Sequence, residues 1–123
     1  MKLRIRGNSI RLRLKRGEVD DLAGGTTLVE KTQFPGSTLS YSLGLSDSED
    51  MLASFNNGSI TISMPREIIP EWADTDLVSL YSELKLPDAG MLAVLIEKDF
   101  SCLEPGHHRD CEDDADTYPH PSA

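Results

Sequence analysis

Apolar and polar positions alternate with period two over Lys2–Leu14, in two runs on either side of Gly7-Asn8. Glycine in the first central place supplies the positive φ that a two-residue hairpin turn needs. That turn sets Ile5 opposite Ile10, Arg4 opposite Arg11, Leu3 opposite Leu12 and Lys2 opposite Arg13. One face of the hairpin is then aliphatic and the other nearly all cationic. The same logic predicts a second hairpin over Met51–Met64. With Asn57-Gly58 as a type I′ turn, Phe55 opposes Ile60, Ala53 opposes Ile62 and Met51 opposes Met64, so every apolar side chain falls on one face.

Between the hairpins, Val19 and Leu22 with Glu18 before them and Gly24-Gly25 after them predict a short helix. Thr26–Phe34 is rich in β-branched residues and reads as a strand, ended by Pro35-Gly36. Leu39, Tyr41, Leu43 and Leu45 alternate with Ser40, Ser42 and Gly44, the pattern of a half-buried strand. Pro65 suits the first turn of a helix carrying Ile68, Ile69 and Trp72, which Pro70 should limit or kink. Leu77–Leu86 reads as a further strand, and Met91–Ile96, an unbroken apolar run, as a central strand covered on both faces. No internal repeat shows at solenoid periods.

Charge sharpens the hairpin's meaning. The net charge is −9, yet seven of the twelve basic residues lie in the first sixteen positions. The remaining 107 residues hold five basic and twenty-one acidic side chains. Like charges directly opposite across a strand pair destabilise it. The Arg4, Arg6, Arg11 and Arg13 face therefore calls for an anionic counterpart from this chain, a partner or a ligand. A guanidinium's planar fork holds carboxylate or phosphate in bidentate fashion. Overall acidity disfavours nucleic acid, and neither a phosphate-cradling glycine loop nor aromatics interleaved with the arginines is present. No apolar run approaches a membrane span, and no secretory h-region opens the chain. These features, with only two cysteines, predict a soluble cytoplasmic protein with reduced thiols.

Two further groups carry candidate chemistry. Cys102, His107, His108 and Cys111 offer the thiolate and imidazole ligands that zinc prefers, although no Cys-x-x-Cys knuckle is present. Reduced, unligated cysteines or a Cys102–Cys111 disulfide are the other readings of the same residues. Glu97 and Asp99, two apart on a strand, share a face and with nearby tail acids could chelate Mg²⁺ or act as an acid–base pair, or simply form ion pairs with Lys98 and with Lys31 or Arg4. All three histidines lie in the tail, so no Ser-His-Asp or Cys-His site forms without folding it back. No residue stands out as catalytic, which leans against an enzyme.

Lys2–Leu14 together with Glu97-Lys98-Asp99-Phe100-Ser101-Cys102-Leu103 resembles a family of small uncharacterised bacterial proteins. Its members open with that alternating basic segment and close with Glu-Lys-Asp-Phe, an acidic stretch and an aromatic-Pro-x-Pro ending. Tyr118-Pro119-His120-Pro121 matches the ending here. The resemblance implies no activity. It does imply that basic hairpin and acidic tail occur together, while His107, His108 and Cys111 fall outside the shared pattern.

The expectation is an α+β, β-rich fold of about seven mostly antiparallel strands in a curved sheet or small barrel, with two short helices. Residues 1–101 form one domain, and 102–123 an acidic Cys/His/Pro-rich tail packed on the basic hairpin. The expected function is an interaction or anion-binding module using the basic face, answered by its own tail. A second copy of the chain or an acidic protein is the expected partner. The alternative is a zinc protein built on the tail, zinc then being the one cofactor.

Overall fold

The computed structural model describes residues 1–99. Eight strands and two short helices run in the order β1 (Lys2–Arg6), β2 (Ser9–Leu14), α1 (Arg16–Ala23), β3 (Leu28–Phe34), β4 (Ser37–Ser46), β5 (Leu52–Asn56), β6 (Ser59–Pro65), α2 (Ile69–Ala73), β7 (Ser79–Lys85) and β8 (Met91–Lys98). Both hairpins form in the expected register, Arg4 opposite Arg11 and Phe55 opposite Ile60. Their turns use the anticipated backbone: Gly7 has φ 55°, and Asn57 and Gly58 have φ 51° and 77°. Gly58 is further confined, because a Cβ there would lie 2.9 Å from the Thr38 carbonyl oxygen.

The strands make two four-stranded sheets, ordered β1-β2-β8-β7 and β3-β4-β6-β5. A closed barrel and a single curved sheet are thereby corrected, and so is the strand count. Each sheet is two antiparallel hairpins joined through one parallel pair, β2 with β8 and β4 with β6. Parallel pairing between inner strands leaves the outer strands β1, β7, β3 and β5 as edges, so neither sheet closes on itself.

The two halves of the chain repeat one order of elements, 50 residues apart over the first hairpin and helix of each half. Hairpin–helix–hairpin occurs twice, as β1-β2-α1-β3-β4 and as β5-β6-α2-β7-β8. Matched positions are buried alike: Leu12 with Ile62, Leu14 with Met64, Val19 with Ile69 and Leu22 with Trp72. Each sheet takes one hairpin from each half. These side chains join Leu43, Val94 and Ile96 in one core drawn from both sheets and both helices. At the hairpin turns the sheets part, leaving an apolar cavity of about 450 Å³ between Ile5, Ile10, Leu39, Phe55, Ile60 and Leu92. Ile5 and Phe55 are accordingly exposed although their pattern is that of core residues.

The helices refine two expectations. In α1 the Lys15 backbone N–H donates to the Glu18 carboxylate at 3.0 Å, and Val19 and Leu22 are buried. That acceptor satisfies one of the N–H groups left open at a helix start. In α2, Pro70 neither ends nor kinks the helix. A 3₁₀ turn over Arg66–Ile68 precedes α2, so Pro70 falls in its first turn, where its missing N–H costs no intrahelical bond. Pro65, expected inside a helix, instead ends β6. No described helix is long and apolar enough to cross a membrane.

Candidate functional site: a basic sheet face

Strand alternation turns Arg4, Arg6, Arg11 and Arg13 outward from the first sheet while Leu3, Leu12 and Ile96 line its inner face. Cross-strand register then fixes what stands beside each guanidinium. One row reads Lys2, Arg13, Glu97, Ser79 across the four strands, and the next reads Arg4, Arg11, Leu95, Tyr81. The third is Arg6, Ser9, Ala93, Glu83. The four arginines expected to form a site are therefore brought onto one surface, and β8 supplies its middle.

Glu97 is the anionic answer from within the fold. Its carboxylate accepts from Arg13 Nε at 2.9 Å and lies 3.4 Å from Arg11 Nε, with its side chain largely shielded from water. Asp99 stands 3.6 Å from Lys2 Nζ, and its backbone N–H donates to the Leu14 carbonyl at 2.8 Å. Glu97 and Asp99 thus serve as ion-pair partners, and those partners are Arg13, Arg11 and Lys2 rather than Lys31 or Arg4. Among the described residues, no carboxylate forms an ion pair with Arg4 or Arg6, and no group of three His, Cys, Asp or Glu side chains could hold a metal ion. The zinc expectation at Cys102, His107, His108 and Cys111, the disulfide and the tail contact all lie outside the described residues.

Two adjoining depressions mark this face. One of about 290 Å³ is lined by Lys2, Leu3, Arg4, Arg11 and Arg13. The other, about 370 Å³, lies among Arg4, Arg6, Arg11, Leu95 and Tyr81. A family model matches residues 1–122. The chain belongs to this family of unknown function, DUF7009. No curated protein and no solved structure matches it. Membership of DUF7009 agrees with the resemblance noted above and assigns no chemistry, so the face has to be read from its residues.

Two members of the site were missed in the sequence. Tyr81 and Leu95 join the arginines through the pairing of β7 with β8 and of β8 with β2. The unbroken apolar run of β8 held part of the signal: Met91, Ala93 and Leu95 put apolar residues on its outer face, and Leu95 is half-buried there beside the arginines. That run was expected to be covered on both faces. Only the face carrying Val94 and Ile96 is buried in the core. Tyr81 is exposed, and its hydroxyl is held above its ordinary pKa of 10.0 by local desolvation and then by the charge and hydrogen bond of Glu83.

Buried Lys98, on the inner side of the same strand, belongs to a different environment. Its ammonium donates to the Thr75 carbonyl at 2.7 Å and lies 5.9 Å from the centre of the Trp72 ring. Burial lowers its pKa below 10.5, against the opposing pull of Asp76 and Asp74. It braces the end of β8 and takes no part in the basic face.

Proposed function

We propose that the protein acts by binding an anionic group on the outer face of β1 and β2, through Arg4 and Arg6 with Arg11, Arg13 and Lys2 at their side. The observation that carries this reading is the imbalance of the face. Arg13 and Arg11 share the single carboxylate of Glu97, while Arg4 and Arg6 have no ion pair among the described residues. Guanidiniums set side by side on neighbouring strands repel until an anion lies between them. An oxyanion that accepts from two forks at once gains charge-assisted bonds as well as relief of that repulsion.

The chain's own acidic residues compete for the same place. Asp99, paired with Lys2, is the last described residue, so the chain leaves the described part beside the basic face. Six carboxylates follow between Glu104 and Asp116. Their competition makes the protein an interaction module whose face opens to stronger anions. The test is calorimetric titration of the full chain with pyrophosphate at two ionic strengths. Binding that weakens with salt and is lost in Arg4→Gln/Arg6→Gln supports the reading. Absence of binding at low salt, together with an unchanged melting temperature in the double variant, overturns it.

A further inference from the structure

The basic face is not uniformly polar, and its asymmetry bears on which anion it suits. The 370 Å³ depression has guanidiniums on the β1–β2 side and a tyrosine ring with a leucine on the other. Arg4, Arg11, Leu95 and Tyr81 occupy one continuous row across the four strands. Tyr81 is 60% exposed beside half-buried Leu95, so its ring is open to a ligand.

Resting on the anion-binding reading, we propose that this depression takes a phosphorylated small molecule carrying a flat aromatic ring, of the mononucleotide class. The phosphate sits on Arg4 and Arg6, and the ring lies against Tyr81 and Leu95. Three features select this ligand over simpler or larger ones. A bare phosphate leaves Tyr81 and Leu95 uncovered. An acidic peptide answers the arginines but brings no ring to Tyr81 and Leu95. A nucleic-acid strand requires sustained positive potential, whereas the chain carries −9 overall and this row holds one aromatic ring. The volume suits a single small ligand, lying in the range of small-molecule sites.

The experiment titrates the full chain with adenosine monophosphate, ribose 5-phosphate, pyrophosphate and a short single-stranded oligoadenylate. Adenosine monophosphate should bind about tenfold more tightly than ribose 5-phosphate, the gain from one stacking contact. Tyr81→Ala should reduce it to the level of ribose 5-phosphate, Tyr81→Phe should retain it, and Arg4→Gln/Arg6→Gln should lose both ligands. Far-ultraviolet circular dichroism establishes that each variant is folded, and exposed Tyr81 contributes no buried packing. Equal binding of the two sugar phosphates leaves the anion site standing and overturns the ring contact. Failure of all four ligands overturns both readings. Tighter binding of the oligonucleotide than of the mononucleotide, with a steep salt slope, overturns the small-ligand assignment in favour of the polymer.

Discussion

Replacing Glu97 by glutamine keeps the shape of the side chain and removes its charge. In the native protein that carboxylate holds Arg13 at 2.9 Å and Arg11 at 3.4 Å. A hydrogen bond to a charged group contributes about 1.5–3 kcal/mol. The two arginines are a quarter to a third exposed, so solvent screening brings the pair to about 1–2 kcal/mol. For a domain of this size that lowers the melting temperature by roughly 5–10 °C. The loss should depend on salt in a diagnostic way. With Glu97 neutral, Arg4, Arg11, Arg13 and Lys2 repel without an answering charge from β8, and salt screens that repulsion as the Debye length falls from about 10 Å at 0.1 M to about 3 Å at 1 M. Thermal melts of Glu97→Gln at low and high salt should converge on those of the native protein as salt rises. Pyrophosphate should stabilise the variant more than the parent, because it supplies the negative charge that Glu97 no longer brings to the arginines. A melting temperature unaffected by the substitution, or a loss indifferent to salt, refutes the view that Glu97 neutralises this face.

Other outcomes follow from the fold. Leu12→Ala, at a site 1% exposed, should cost about 2–5 kcal/mol by denaturant unfolding, while Ile5→Ala at the open end should cost less than about 1 kcal/mol, because its side chain is 57% exposed. Gly58→Ala should destabilise more than Gly7→Ala, since both force a positive φ but only the former presses a Cβ onto the Thr38 carbonyl; paired chemical melts check the order. For Lys98 the folded pKa is lowered, so the unfolded chain binds the extra proton and this residue's contribution to stability rises as pH climbs toward 10.5. Lys98→Met should abolish that rise, measured as the difference in unfolding free energy between parent and variant from pH 8 to 10.

The hairpins were legible because a turn and its flanking residues specify one another within a dozen positions. Gly7-Asn8 and Asn57-Gly58 each admit one register that keeps the apolar residues together. Arg13 and Glu97, by contrast, are 84 residues apart, and nothing local to either names the other. Pairing of β2 with β8 is a property of the assembled core, so the carboxylate that meets Arg13 and the tyrosine that joins Arg4 could not be found from spacing. The repeated order of elements was hidden by chemistry. Ser9-Ile10 and Ser59-Ile60 still match, but Arg11 and Arg13 of the first hairpin stand where the second has Thr61 and Ser63. The inward residues keep one pattern in the core, whereas the outward ones carry charge in the first half and small hydroxyls in the second.

Exchange of hairpins between the halves also determines how the molecule can come apart. The loop around Asp47–Asp50 links two segments, each of which is half of both sheets. Cleavage there would free neither piece, since β2 would still be laced to β8 and β4 to β6. A lone first half would instead carry two bare inner strands and would be suited to capture another copy of itself.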